Sequence, residues 1–132
     1  MKIGIIIVSH QEIGSELLKA TDSILGDHPG FEAVGIQPHD PVDLSVQKIK
    51  AAILAVDQGH GVLILSDLFG ASPSNICLPF LKKGKVEMVS GVNLPMLLKL
   101  LNFKDEMNLE DLTDFIVNYG QRHIVKGSQL ID

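Results

Sequence analysis

Four short apolar runs alternate along this chain with segments in which apolar residues recur at helical spacing. The runs occupy residues 3–8, 31–36, 62–65 and 86–89, and the first and third are almost wholly apolar, which is typical of strands buried on both faces. Between them, stripes three or four positions apart predict amphipathic helices; the first two are Ile13, Leu17, Ala20 and Ile24, then Val42, Val46, Ile49, Ile53 and Val56. We therefore predict an α/β fold with a doubly wound, mostly parallel four-stranded sheet in the order 2-1-3-4 and helices on both faces.

Polar residues, proline and glycine mark where the predicted helices begin and end. Pro79 lacks the N–H that a helix interior needs, so the third helix is predicted to kink or end early. Gly120 is predicted to close the last helix, and residues 123–125 to form a short fifth strand. Four residues are predicted N-caps, two of them followed directly by proline: Asp40, Ser72, Asn93 and Asn108.

The composition narrows the class of protein. With 132 residues, 45% of them hydrophobic, the chain is predicted to form one domain, residues 1–132, that buries roughly two-thirds of its surface. A formal net charge of −5 argues against a nucleic-acid partner. A single cysteine, Cys77, excludes a disulfide framework and a multi-cysteine metal site. No apolar run reaches the ~20 residues of a membrane span, and we expect a cytoplasmic protein.

Small and polar residues follow each predicted strand, at the edge where sheets of this class bind ligands. They are Ser9 and His10, then residues 38–40, 66–73 and 90–93. His10 is the sharpest candidate, because imidazole is nucleophilic at neutral pH and can carry a labile phosphoryl group. The alternative is an ordinary loop histidine, and position alone leaves the two interpretations about equal.

Asp67 follows the third strand, which must lie beside the first in a doubly wound sheet. A carboxylate that accepts one ring N–H of His10 would fix the tautomer and leave the other nitrogen free to attack; the alternative is a turn residue that only ends a strand. Gly70, Ala71 and Ser72 precede a helix start, where backbone N–H groups and the Ser72 hydroxyl could hold an anion. The remaining histidines are predicted to be turn or surface residues: His28, His39, His60 and His123.

Three stretches of the chain together resemble the enzyme IIA domain of the mannose family of the bacterial sugar phosphotransferase system. They are Ser9-His10, the run S-D-L-F-G-A-S-P-S-N at 66–75, and the run S-G-V-N-L-P-M-L at 90–97. The similarity extends along essentially the whole chain. The two longer motifs are specific, since neither is a common chance match.

The resemblance implies a phosphohistidine carrier for sugar uptake. His10 would accept a phosphoryl group from the phosphohistidine of the small carrier protein HPr and pass it to an enzyme IIB partner. Asp67 would bond the active imidazole, and Ser72 would lie close to the phosphoryl group. The resemblance also implies a homodimer that exchanges a C-terminal antiparallel strand, for which 123–125 is the candidate segment, and contact with a membrane permease only through partners.

The chemistry of such a transfer adds two expectations. Positioning and helix-end N–H groups can stabilise a loose phosphoryl-transfer transition state, so we expect no metal and no cofactor. Leu68 and Phe69 are expected to form an apolar patch that binds the transient partners. Ala71 stands where the family usually has a second glycine, which would matter if that position requires a positive φ.

Three other functions stay open at this point. A regulatory module whose phosphorylation state reports carbon or phosphoenolpyruvate supply would use the same His10, so the sequence does not separate it from a transport component. A relay to a dihydroxyacetone kinase is less favoured, since residues 67–75 are more similar to the mannose type. A small hydrolase built on Ser72, His10 and Asp67 comes last, because no G-x-S-x-G turn is present.

Overall fold

The computed structural model describes residues 2–27 and 30–131, so the prediction for His28 lies outside the described residues. Within them, the strands are β1 (Gly4–His10), β2 (Phe31–Ile36), β3 (Val62–Ser66) and β4 (Val86–Ser90). The helices are α1 (Ile13–Leu25), α2 (Val42–Val56), α3 (Ser72–Cys77), α4 (Leu94–Phe103) and α5 (Leu109–Arg122). Two 3₁₀ turns cover Leu78–Phe80 and Gly127–Leu130.

The sheet has the predicted topology. All four strands are parallel and lie in the order β2-β1-β3-β4. His10 pairs with Ile36 of β2, and Val8 pairs with Ser66 of β3. The chain runs outward from β1 to β2 and then crosses back to β3, so the strand order reverses between β1 and β3. The carboxyl ends of these two strands therefore border the crevice in which such sheets bind ligands.

Helices cover both faces of the sheet, as predicted. One apolar core lies under α1, α4 and α5 and includes Leu18, Leu97 and Leu112; the other lies under α2 and α3 and includes Ile49 and Cys77. Burial raises the pKa of the Cys77 thiol to about 12. Because β1 and β3 are apolar and buried on both sides, they form a rigid base for the polar residues at their carboxyl ends.

The predicted inner faces of α1 and α2 are wrong in part. Ile13 and Ile24 are about half exposed, and Val42 is 65% exposed. A Cβ on Gly14 would lie only 3.0 Å from Cγ2 of Ile7, so α1 packs too closely on β1 to admit large side chains there. Spacing of apolar residues does not anticipate such an interface. The residues actually buried are Gly14, Leu18 and Thr21 on α1, and Ser45, Ile49 and Val56 on α2.

Several predicted helix boundaries are confirmed. Asn93 accepts a hydrogen bond from the backbone N–H of Met96 at 3.1 Å, and Asn108 accepts one from Asp111 at 2.8 Å. Both are therefore N-caps, as predicted. Helix α3 ends two residues before Pro79 and continues only as a 3₁₀ turn, so the early end is also confirmed.

Two predicted N-caps are wrong. Pro41 occupies the N-cap position of α2 and Ala71 that of α3, so neither Asp40 nor Ser72 caps a helix. Ser72 is instead the first residue of α3. The cap-then-proline pattern placed the helix start one residue too early for α2 and one too late for α3, which is the usual uncertainty of a helix end.

The C-terminal segment also departs from the prediction. Helix α5 does not close at Gly120 but continues to Arg122. A Cβ on Gly120 would lie 2.6 Å from the Met96 sulfur, so this glycine permits close packing of α5 against α4. In this single chain, residues 123–125 lie outside any strand, and the exchanged strand stays a prediction. In the parts of the chain that are described, every helix is too short or too polar to span a membrane.

A charged cluster fixes the amino-terminal edge of the sheet. The side chain of Lys104 is only 10% exposed, and its Nζ donates to the Ile3 carbonyl oxygen at 2.9 Å and to Oδ1 of Asp105 at 3.0 Å. The same carboxylate oxygen accepts the Ile3 N–H at 3.0 Å. Burial acts to raise the pKa of Asp105, but the hydrogen bonds from Lys104 and Ile3 and the charges of Lys104 and Lys2 outweigh it and hold that pKa below its usual value. We call Ile3, Lys104 and Asp105 the amino-edge clamp.

Candidate functional site

His10 and Asp67 meet at the carboxyl edge of the sheet, as predicted. His10 is the last residue of β1 and Asp67 directly follows β3. Oδ2 of Asp67 lies 2.8 Å from Nδ1 of the His10 ring and also accepts the His10 backbone N–H at 3.0 Å. One carboxylate oxygen therefore holds both the backbone and the ring of His10.

This contact decides which ring nitrogen can react. A carboxylate only accepts hydrogen bonds, so the bonded Nδ1 carries the proton and Nε2 keeps its lone pair. The His10 side chain is 44% exposed, whereas Asp67 is 11% exposed. The site thus presents a neutral imidazole with a fixed tautomer to solvent, while the carboxylate that orients it stays inside.

The second oxygen of Asp67 is costly for the fold. Among the described residues, none donates a hydrogen bond to Oδ1, although this atom is buried. Leaving a buried acceptor unpaired destabilises a protein by about 1–3 kcal/mol. Asp67 is therefore poorly suited to a purely structural turn, which was the alternative interpretation of the sequence.

Ser9 is a residue that the sequence analysis did not single out. Its hydroxyl is fully buried, donates to the His10 carbonyl oxygen at 3.2 Å and accepts the Gly14 N–H at 2.9 Å. It thereby caps the first turn of α1, where the N-cap residue itself makes no side-chain bond. The signal was a serine at the end of a buried strand, a few residues before a helix.

The loop after β3 is held by two further residues that the sequence analysis missed. The buried hydroxyl of Ser74 accepts the Gly70 N–H at 2.9 Å and donates to the Ala71 carbonyl oxygen at 3.0 Å. Nδ2 of Asn75 donates to the Gly70 carbonyl oxygen at 3.1 Å. Gly70 has a φ of 86°, whereas Ala71 has a φ of −89°. Only Gly70 needs the left-handed region, so the alanine at position 71 introduces no strain.

Exposed apolar side chains surround the carboxyl edge. Leu68 and Phe69, directly after Asp67, are 57% and 70% exposed. On the α1 side, an open groove of about 670 Å³ borders His10 and includes Glu12, Ile13, Glu16 and Leu17 among its lining residues. The edge therefore combines apolar contact area with carboxylates around one reactive imidazole.

The end of β2 contributes little that could react with His10. His39 is exposed, as predicted. The Asp40 carboxylate accepts the Gln37 N–H and a Lys48 ammonium hydrogen bond, each at 3.0 Å, and these bonds, the backbone one foremost, hold the pKa of Asp40 below its usual value. Within residues 2–27 and 30–131, no three His, Cys, Asp or Glu side chains are arranged to hold a metal ion.

The sequence matches a known protein family over most of its length. The family described as "PTS system fructose IIA component" matches residues 4–117. This chain belongs to that family. The predicted resemblance is therefore confirmed, and the chain is a IIA component of the sugar phosphotransferase type.

Individual relatives of this IIA component agree. The PTS system fructose-specific EIIA component of Bacillus subtilis (strain 168) is 30% identical over 121 residues, which are 91% of this chain and 83% of that protein. The PTS system mannose-specific EIIAB component of Escherichia coli (strain K12) is 29% identical over 126 residues, 94% of this chain but only 39% of the relative. A solved PTS IIA protein associated with the fucose utilization operon of Streptococcus pneumoniae superposes with a TM-score of 0.83 at 26% identity, covering 100% of this chain and 98% of that one.

Proposed function

We propose that this IIA component carries a phosphoryl group on His10, taking it from phospho-HPr and passing it to an enzyme IIB partner for sugar uptake. The observation that carries the proposal is the bond between Nδ1 of His10 and Oδ2 of Asp67 at 2.8 Å in a ring that remains 44% exposed. It leaves Nε2 as the nucleophile. Asp67 is a positioning residue in this scheme, since it acts through the ring.

The transfer balances without any further reactant. The lone pair of Nε2 forms the new bond to phosphorus, while the phosphorus–nitrogen bond of the donor histidine breaks and its electron pair returns to the donor ring. The proton on Nδ1 stays in place, and the Asp67 carboxylate offsets the positive charge that develops on the phosphorylated ring. Attack by His10 on the IIB partner's behalf then runs in reverse, with the IIB nucleophile displacing Nε2.

The loop after β3 is proposed to hold the phosphoryl oxygens. Because the Gly70 N–H is bonded to Ser74, the candidate donors are the N–H groups of Ala71 and Ser72 together with the Ser72 hydroxyl. Gly70 supports them by adopting the left-handed turn. This assigns Gly70 a conformational role in place of the direct contact that the sequence suggested.

Intact-mass spectrometry tests the central proposal. The protein is incubated with phosphoenolpyruvate, enzyme I and HPr, beside the variants His10→Ala and His39→Ala. We expect one acid-labile phosphoryl group on the wild type and on His39→Ala, and none on His10→Ala. His39 is the matched control because it is an exposed histidine after the neighbouring strand β2.

Two outcomes contradict the proposal. Phosphorylation that persists in a folded His10→Ala variant moves the site to another residue. A wild type that stays unmodified, while the same donor system phosphorylates a known IIA protein, removes the carrier function altogether.

Leu68 and Phe69 are proposed to bind the protein partners, because both are exposed beside the reactive ring. Transient docking surfaces gain much of their energy from a few large apolar side chains. We expect Phe69→Ala to raise the KM for phospho-HPr about tenfold, whereas Leu54→Ala leaves it unchanged. Leu54 is a fair control, since it is 71% exposed but lies on α2 near the opposite edge. Equal KM values in the two variants would refute the assignment.

A homodimer that exchanges C-terminal strands is also proposed. β4 is an edge strand, and a groove of about 440 Å³ between β4 and α5 reaches Ile124, which is 78% exposed. An added antiparallel strand would pair the open edge and bury this side chain. Light scattering should give a dimer for the wild type and for Ile24→Glu on α1, but a monomer for Ile124→Glu. A monomeric wild type at every concentration contradicts the proposal.

A further inference from the structure

The residue after His10 has an unusual backbone conformation. Gln11 has a φ of 45° and is the only non-glycine with a positive φ in the part of the chain that the structure describes. A residue with a side chain adopts this region at a cost in free energy and remains there only when its surroundings hold it. The constraint therefore has to come from the neighbours of the His10–Gln11 segment.

Hydrogen bonds fix three of the four peptide groups of this segment. The His10 N–H donates to Asp67 at 3.0 Å, and the His10 carbonyl oxygen accepts the Ser9 hydroxyl at 3.2 Å. The Gln11 N–H donates to the Ile36 carbonyl oxygen of β2 at 2.9 Å. The fourth group, the Gln11 carbonyl, turns toward β2 beside that bond.

Gly35 provides the space for this carbonyl. It pairs with Ser9 in the sheet, and a Cβ built on Gly35 would overlap the Gln11 carbonyl oxygen. The overlap involves backbone rather than a flexible side chain, and its relief requires a shift of about 1 Å. Gly35 itself does not have a positive φ, so a side chain is excluded here by the approach of Gln11 and not by the conformation of position 35.

We propose that Gly35 is a positioning residue for His10. Given the proposed function of His10, its bare Cα lets the Gln11 carbonyl seat against β2, which sets the left-handed turn and the direction in which the His10 ring leaves β1. Oδ2 of Asp67 binds the backbone and the ring of His10 together, so a displaced backbone changes the ring contact as well. A misplacement of about 1 Å in a reacting group can slow a transfer by roughly 10²-fold.

The test compares Gly35→Ala with Gly127→Ala, because a Cβ on Gly127 meets nothing within 4 Å and its φ is not positive. The rate of phosphoryl transfer is measured at saturating phospho-HPr, together with the KM for this donor. Nitrogen-15 NMR of the histidine ring reports the His10 tautomer without any donor. We expect folded Gly35→Ala to transfer about 10²-fold more slowly with an unchanged KM and a mixed tautomer signal, and Gly127→Ala to match the wild type.

A folded Gly35→Ala variant with the wild-type rate and tautomer overturns the proposal. If this variant does not fold, the exposed Gln11 side chain allows a second series, Gln11→Gly, Gln11→Asn and Gln11→Val. Gly and Asn tolerate a positive φ whereas β-branched Val does not, so we expect the first two to transfer at least tenfold faster than the third. Equal rates across the series also overturn it. A wild type that accepts no phosphoryl group refutes the carrier function, while the tautomer comparison still decides the role of Gly35.

Discussion

Strand β1 is held by one carboxylate at each end, and the two ends are built differently. At its start, Asp105 accepts the Ile3 N–H and the ammonium of Lys104 on one oxygen. At its end, Asp67 accepts the His10 N–H and the His10 ring on one oxygen. The pattern of bonds is the same, but the cation at the start is permanent and buried, whereas the ring at the end is neutral and half exposed.

The difference separates a structural contact from a reactive one. In the amino-edge clamp, the buried Lys104 donates to both the Ile3 carbonyl and Asp105, so its charge is well compensated. At the carboxyl edge, a buried oxygen of Asp67 lacks a partner among the described residues. The fold thus places its unfavourable electrostatics where charge is proposed to change during the reaction, which is a common feature of functional sites.

The largest expected effect comes from Asp67→Asn. An amide can donate to Nδ1 of His10, which would put the ring proton on Nε2 and remove the nucleophile. We expect transfer to slow about 10²-fold or more, with a change in unfolding free energy below about 1 kcal/mol, because the unpaired oxygen is lost as well. Single-turnover transfer from phospho-HPr measures the first and urea unfolding the second. Asp105→Asn is the control and should transfer within twofold of the wild type; an unslowed Asp67→Asn would show that tautomer control is unimportant.

Lys104→Met should have the opposite profile. Methionine keeps the length of the side chain but leaves the Ile3 carbonyl and Asp105 without their donor, so we expect the unfolding free energy to fall by about 2 kcal/mol. Transfer by the folded fraction should stay within twofold. Because burial raises the pKa of the Cys77 thiol to about 12, its labelling rate reports opening of the core and should rise. A stable variant with slowed transfer would mean that the two ends of β1 are coupled.

A smaller effect is expected from pH. The pKa of Asp105 is lower in the folded state than its usual value near 4, so this carboxylate stabilises the fold above that value and loses its contribution as the pH falls through the folded pKa. Urea unfolding should therefore show a stability difference between the wild type and Asp105→Asn that is full at pH 6–7 and shrinks below about pH 4. A difference that stays constant down to pH 3 would indicate that packing, and not the charge, accounts for it.

The fold and the meeting of His10 with Asp67 could be predicted from the sequence for a specific reason. The strands β1 and β3 are uniformly apolar, so the pattern marks them as central, and central parallel strands bring their carboxyl ends to one edge. The cap residues Asn93 and Asn108 were also readable, because a cap acts within its own helix turn.

What could not be predicted depends on contacts between distant segments. The approach of the Gln11 carbonyl to Gly35 leaves no periodic trace in the sequence, and a glycine in a strand has several explanations. The inner face of α1 was misjudged because close packing at Gly14 selects small residues over the apolar stripe. Ser74 was overlooked in favour of Ser72, since the cap-then-proline pattern does not reveal which hydroxyl turns back into the loop.

The amino-edge clamp also sets the order in which the chain can complete its folding. Ile3 and Lys104 are 101 positions apart, whereas His10 and Asp67 are separated by 57. Contacts between positions so far apart close late, because the loop entropy must be overcome first. During synthesis, the apolar strand β1 can already pair with β2 and β3 and assemble the reactive edge, but it gains its ionic anchor only after residue 104 has been made. The reactive end of the first strand can therefore form before the stabilising end.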